Sequence, residues 1–394
     1  MKKTDILISI IIPSYNDSST LTKTLDSVFE QDIDDWEIVL VDDGSTDETK
    51  KIIENYKKIN DKNNKIKYIY QENKDQLNAI KNGLNYINGK FILILHSDDE
   101  LADTNVLSNC LSSIENSDYD ALIAPHILID DSDNIIGFQN VLNYKQKKSI
   151  PPLLMLWLGR NLYVDTSFCK REIYEKHVYN NYLTWNMPFW LCYNKENVSM
   201  LNVKTVNFPF IKYRIHENNY INNDIGKLNV INGELRTLTN LMKYYYIPCY
   251  KFQYYIFRIF NKLKLNKLYS PIYIKKETKR KYDVILFAMK KRFGNDYENN
   301  LFLNSLARFF KNYSNRKITI KSLDKNDIIF EGSDVRKFNK LLLENKLPKI
   351  YVKILNEMKY GFNEVKVSEE IYEQISKILK FLCIYPYVNI SIIK

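Results

Sequence analysis

Phe91-Ile92-Leu93-Ile94-Leu95-His96-Ser97-Asp98-Asp99-Glu100 joins an apolar run of five residues to a cluster of carboxylates. An unbroken apolar run closed by polar residues reads as a strand buried on both faces of a parallel sheet. In such sheets ligands collect beyond the carboxyl ends of the strands. Asp98 and Asp99 would then stand at the mouth of a site. Adjacent carboxylates there offer the hard oxygen ligands that a divalent cation takes while bridging to phosphates. The same residues also fit a strand ending in a solvated acidic turn, and this stretch alone does not choose.

The elements around it narrow the choice. Ile6 to Ile12 reads as a strand, followed by Pro13-Ser14-Tyr15-Asn16. Trp36 to Val41 is a second, followed by Asp42-Asp43-Gly44-Ser45-Thr46-Asp47. Ile66 to Tyr70 is a third. Between them, Leu21, Leu25, Val28 and Phe29 mark one helical face. Ile52, Ile53, Tyr56 and Ile59 mark another, and Ala79, Ile80, Gly83, Leu84 and Ile87 a third. Strands alternating with helices of this length predict βαβ units and a parallel sheet. Thr46 or Asp47 can cap the second helix.

These motifs in this order resemble glycosyltransferase family 2: Ile11-Ile12-Pro13-Ser14-Tyr15-Asn16, Asp42 to Asp47, Asn78-Ala79-Ile80-Lys81-Asn82-Gly83, and Ser97-Asp98-Asp99. The resemblance covers roughly residues 5–220. It implies an α/β catalytic domain of the GT-A fold, Rossmann-like, with a mostly parallel sheet flanked by helices, acting on nucleotide-activated sugars. Acceptor-only carboxylates suit the N3–H of uracil and the hydroxyls of ribose. By resemblance, Asp42 reads the base and the Pro13-Ser14-Tyr15 turn packs on the nucleotide, with Tyr15 offering a ring face. Asp98 holds the ribose, and Asp99 ligates a Mn²⁺ or Mg²⁺ that stabilises the departing diphosphate. Lys81 is placed to assist the phosphates, or is a solvated helix lysine.

The family's catalytic base falls here on Asn186, in Trp185-Asn186-Met187-Pro188-Phe189-Trp190. An amide cannot act as a general base near neutral pH. Asp165 is an alternative carboxylate for that task, or a plain loop residue. Tyr213-Arg214-Ile215-His216 resembles the family's Tyr-Arg-x-His element, which implies His216 as a metal ligand and Arg214 as a diphosphate clamp. It follows a strand-like stretch from Val203 to Tyr213.

The chain of 394 residues is long enough for two domains with cores of their own. The expected division is a catalytic domain over 1–220 and a mostly helical region over 221–394, with a small α+β part at about 316–394. Short strands are expected at Lys317–Ile320 and Ile328–Phe330. Helices are expected at Val335 to Leu343, Tyr351 to Met358 and Glu369 to Leu382. The net charge is +10. Aromatics and lysines interleave from Tyr244 to Leu265, as in a helix lying on an anionic membrane surface or packed with a solvated lysine face. No arginine-rich patch or reader motif supports nucleic-acid binding. The five cysteines are scattered with no Cys-x-x-Cys pair, which argues against a zinc site or a disulfide framework. No leader and no apolar stretch of about 18 residues is evident, so a cytoplasmic protein is expected, peripheral at the inner face of the membrane at most.

Together these readings predict transfer of a sugar from a UDP-sugar (dTDP presents the same N3–H edge) to an acceptor hydroxyl, and the resemblance implies inversion. The acceptor would be a glycan, a lipid-linked glycan or a protein, in bacterial surface polysaccharide or glycoconjugate synthesis. The alternative is a catalytically silent nucleotide-binding or assembly subunit. A nucleotidyltransferase would require a Gly-rich phosphate loop after the first strand, and Pro13-Ser14-Tyr15-Asn16 is not one.

Overall fold

The structure is a computed structural model. It describes residues 7–139 apart from 62, 63 and 75, then 166–178, 202–217 and 219, parts of 224–235, and 294–393 apart from 295, 325, 326 and 331–333. The chain divides into two compact units, the first running essentially to Asn219 and the second from Tyr220 to Lys394. Asp165, Asn186 and the Tyr244 to Leu265 stretch lie outside the described residues.

In the first unit the expected alternation of strand and helix is present. Strand β1 (Ile8–Ser14), helix α1 (Leu21–Phe29), β2 (Trp36–Asp42), α2 (Thr49–Asn60), β3 (Ile66–Tyr70), α3 (Gln76–Gly83) and β4 (Phe91–Ile94) follow in order. Then come β5 (Glu100–Leu101), α4 (Val106–Ile114), β6 (Ala121–Ile123), β7 (His126–Ile129), β8 (Ile135–Gln139), β9 (Phe168–Lys170), α5 (Arg171–Val178), β10 (Val203–Thr205) and β11 (Ile211–Arg214). A seven-stranded sheet has the order β10-β6-β9-β4-β1-β2-β3. Its pairs are parallel except where β9 lies antiparallel between β4 and β6. Ile8, Ile10, Ile12, Ile38, Leu40, Leu93 and Leu95 pack with Leu21, Leu25 and Val28 of α1 in one buried cluster. Burying each such side chain is worth about 1.5–3 kcal/mol.

Two expectations shift. β1 runs on through Pro13 to Ser14, so Pro13 is a buried strand residue rather than the start of a turn. β4 ends opposite Ile11, so only β2 pairs with β1 at Pro13, and a missing N–H is tolerated there. The stretch from Val203 to Tyr213 is two strands in two sheets, broken around Pro209. β11 belongs to a four-stranded sheet of order β5-β11-β7-β8. That sheet brings β11 beside the residues just beyond Asp99: Ile211 pairs with Leu101 and Lys212 with Glu100.

Within the second unit, α6 (Leu301–Lys311), β12 (Lys317–Ile320), α7 (Val335–Leu343), α8 (Lys349–Met358), β13 (Glu364–Val367), α9 (Tyr372–Phe381) and β14 (Asn389–Ile392) build a three-stranded parallel sheet with helices. This is an α/β arrangement instead of the α+β part expected. No strand forms at Ile328–Phe330. Phe330 is buried, and its main-chain N–H donates to the Tyr351 hydroxyl at 2.9 Å instead of to a ladder.

Candidate active site

Three loops meet at the carboxyl ends of β1, β2 and β4. The loop after β1 is tied to the loop after β2. Asp43 N–H donates to the Ser14 carbonyl at 2.8 Å. Asn16, at φ 59°, donates its N–H to Ser45 Oγ at 2.9 Å, and its own Oδ1 accepts from Thr46 N–H at 2.8 Å. Asp47 accepts from Thr49 N–H at 3.0 Å and from Ser18 N–H at 3.1 Å, so it both supports the start of α2 and holds the first loop. The loop after β4 is held by α1: Thr20 and Thr24 hydroxyls donate to the Ser97 carbonyl at 3.0 and 2.9 Å. The Ser97 hydroxyl oxygen lies 3.1 Å from the Pro13 carbonyl oxygen, and its hydrogen goes to Asp17.

Asp42 ends β2 and is buried. Its Oδ1 accepts from Ser45 N–H at 2.8 Å and its Oδ2 from the Tyr68 hydroxyl at 2.8 Å. Each carboxylate oxygen still has acceptor capacity, because it carries two lone pairs. Tyr15, in the loop after β1, is 40% exposed. Lys81 is half-buried in the last turn of α3.

Asp98 and Asp99 differ sharply. The Asp98 side chain is partly open, and its Oδ2 lies 3.2 Å from His216 Nε2. Asp99 faces inward and is fully buried. Its Oδ1 accepts from the main-chain N–H of Arg214 at 2.9 Å, and its Oδ2 lies 3.7 Å from His96 Nδ1. Burial works to raise the pKa of Asp98, but the His216 hydrogen bond and the nearby imidazoles hold it below the ordinary carboxylate range. The same hydrogen bond raises the pKa of His216 against its own partial burial.

Arg214, expected as a diphosphate clamp, is almost wholly buried beneath the acidic loop. Its Nε donates to the Asp98 carbonyl at 3.0 Å. Nη1 donates to the Asp130 carbonyl at 2.9 Å and to Asp133 Oδ1 at 2.5 Å, and Nη2 to Glu100 Oε1 at 2.6 Å. The guanidinium is committed to protein oxygens, so its geometry is that of a positioning residue.

Two functional candidates escaped the sequence reading. His96, Asp98 and Asp99 each bring a ligand atom within 4.8 Å of the others. Asp17 accepts from Tyr15 N–H at 3.0 Å and from the Ser97 hydroxyl. Burial pushes its pKa up to about 6; the Ser97 hydrogen bond opposes this, and the charge of Asp98 adds to it. One of only four histidines two places before Asp98 was the available signal for His96. Asp17 gave none, being one more acid in a turn.

Residues 9–178 match the family model described as glycosyl transferase family 2. This stretch is a glycosyltransferase family 2 domain. Glycosyltransferase GlyG of Streptococcus pneumoniae is 31% identical over 133 residues, 34% of this chain and 43% of GlyG, so the chain spans under half of that relative. The UDP-Glc:alpha-D-GlcNAc-diphosphoundecaprenol beta-1,3-glucosyltransferase WfgD of Escherichia coli is 29% identical over 231 residues, 57% of this chain and 83% of WfgD. Among solved structures, S. aureus TarS 1-349 in complex with UDP-GlcNAc has a TM-score of 0.51 at 15% identity, covering 86% of this chain and 91% of that one. The likeness to TarS concerns the fold, and the family 2 domain has the GT-A architecture expected. The C-terminal half lies outside the family match.

Proposed function

We propose that the family 2 domain transfers a sugar, with inversion, from a UDP-sugar to an acceptor hydroxyl during assembly of a bacterial surface glycan. One observation supports this most: Asp42, Asp98 and Asp99 stand at the ends of β2 and β4 on either side of β1, with His96 and His216 beside the pair. In this reading Asp42 accepts the uracil N3–H, Tyr15 stacks on the base, Pro13 supports that turn from β1, and Asp98 takes a ribose hydroxyl. Lys81 would assist the phosphates. Asp98 and Asp99 also suit Mn²⁺ or Mg²⁺, since the donor set of carboxylates with an adjacent imidazole fits such an ion. When bound, the ion neutralises charge on the departing diphosphate. Arg214 fixes the loop that carries both carboxylates. Asp165 is the proposed base, in place of the amide of Asn186.

WfgD, by its name, uses UDP-Glc and a diphosphoundecaprenol-linked acceptor. A lipid-linked acceptor and peripheral membrane contact at the inner face are the corresponding proposals here. Ile135, Ile136 and Phe138 on edge strand β8 are exposed, which suits such contact. Among the described residues no helix is long and apolar enough to cross a membrane. The second reading, a silent nucleotide-binding subunit, rests on Asn186.

The test is nucleotide release from a panel of UDP- and dTDP-sugars with Mn²⁺, with Asp99→Asn as control. Metal-dependent release from one donor, lost in the variant, is expected. UDP binding without turnover of any donor, with or without lipid-linked acceptors, would favour the silent subunit.

A further inference from the structure

We propose that His96 is a nitrogen ligand of the cation site, and that it tunes the site toward transition-metal ions and away from Mg²⁺. The inference rests on the metal-dependent reading above and names a chain-specific property of it.

The imidazole of His96 is 13% exposed. Its Nδ1 faces Asp99 Oδ2 at 3.7 Å, beyond hydrogen-bond range. Its Nε2 is buried with no hydrogen-bond partner among the described residues. A buried ring nitrogen without a partner costs about 1–3 kcal/mol, and with Nδ1 turned to Asp99 at 3.7 Å the imidazole is left available as a ligand. Of the other two histidines nearby, His216 Nε2 lies 3.2 Å from Asp98 Oδ2 and stays a second candidate nitrogen ligand, and His126 Nε2 lies 3.3 Å from the Thr166 hydroxyl. Among the described residues, His96 forms a group of three donors with Asp98 and Asp99.

The donor set decides the preference. Mg²⁺ demands near-ideal octahedral oxygen coordination and gives up water reluctantly. Imidazole suits later first-row ions, and affinity at mixed nitrogen and oxygen sites rises from Mn²⁺ through Co²⁺. A site of two carboxylates and one imidazole should bind Mn²⁺ and Co²⁺ more tightly than Mg²⁺. Replacing the imidazole by a carboxylate should narrow that gap.

The experiment is calorimetric titration of the full chain, with UDP present, by MnCl₂, CoCl₂ and MgCl₂, for wild type, His96→Asp and His96→Gln. Pulsed electron paramagnetic resonance of the Mn²⁺ samples provides an independent readout, with melting temperature as the folding control. Nitrogen modulation is expected in wild type, retained in His216→Gln and weakened in both His96 variants. The Co²⁺ to Mg²⁺ affinity ratio is expected to fall at least about tenfold in His96→Asp. A folded His96→Gln protein that keeps the full nitrogen signal and the wild-type ratio would overturn the inference. Wild type that binds a divalent ion with no nitrogen signal would overturn it while sparing the metal-dependent reading. Wild type that binds UDP but no divalent ion would overturn both.

Discussion

Arg214 Nη2 and Glu100 Oε1 lie 2.6 Å apart, joining the end of β11 to the first residue of β5, one position after Asp99. The arginine is almost wholly buried, and Glu100 nearly so. Strand β11 thus acts as a brace for the acidic loop, through its main chain at Asp99 and through its guanidinium at Asp98 and Glu100. Truncation to Arg214→Ala would leave Glu100 with Lys212 as its partner and remove the guanidinium's four hydrogen bonds to the acidic loop and its neighbours. The expected loss is about 3–5 kcal/mol, read as a shift in the urea midpoint. Arg214→Lys should also lose stability, because one ammonium cannot reproduce the fork of bonds. Stability within about 1 kcal/mol of wild type in both variants would refute the brace.

Asp42 and Tyr68 make a separable pair. Tyr68→Phe removes one donor from a buried carboxylate and leaves the carboxylate itself. Stability should fall by about 1 kcal/mol, and UDP binding should stay within a few fold of wild type. Asp42→Asn replaces half of the acceptor by a donor that faces the Tyr68 hydroxyl or the uracil N3–H. UDP affinity should drop by about tenfold or more in titration calorimetry. Equal affinities for wild type and Asp42→Asn would remove Asp42 from the nucleotide site.

His126 predicts a pH dependence of stability. Burial, aided by the charge of His96, pushes its pKa down to about 4. The ordinary value in an unfolded chain is about 6.5. Below that pH the unfolded chain binds a proton that the folded one refuses. Stability contributed by the neutral imidazole is full above about pH 6.5 and drains away as the pH falls toward 4. Across that window the loss is on the order of 3 kcal/mol. His126→Gln does not titrate, so its stability difference from wild type should shrink or reverse between pH 7.5 and 4.5 in urea unfolding. A constant difference would show that His126 is not the group concerned.

The sheet was legible because its strands are almost continuously apolar. Ile66–Tyr70 is found with the expected limits, and Trp36 begins β2 as read. Short strands were not legible: Ala121–Ile123 and Phe168–Lys170 have three residues each, too few to show a period. The same holds for β13 and β14, whose alternation in four residues is lost among helices. Asp42, Asp98 and Asp99 were visible because carboxylates at the end of an apolar run stand out. Arg214 was visible as a residue, but its role was not. Only the register of β11 beside β5 shows that the guanidinium points under the loop instead of across it. His96 was hidden because one imidazole carries no periodic signal, and its partner Asp99 is identified by distance alone.

Gly361 tests the packing of the second unit. It follows α8 at φ +69°, and its carbonyl accepts from Ser314 Oγ at 3.4 Å. A Cβ there would overlap the Asn312 main-chain carbonyl at the end of α6. Asn312 cannot retreat easily: its N–H donates to the Arg308 carbonyl at 2.8 Å and its Nδ2 to the Lys359 carbonyl at 2.8 Å. Gly294 supplies the comparison, with φ +60° and, among the described residues, no atom within 4 Å of a Cβ. Gly294→Ala should therefore cost only the backbone strain of a left-handed alanine, about 1 kcal/mol. Gly361→Ala should cost that strain plus displacement of α6 from α8, at least about 3 kcal/mol in all. Calorimetric unfolding of both variants separates the two contributions. Equal losses would mean that α6 and α8 can part freely, and that the close approach at Asn312 contributes nothing to holding them together.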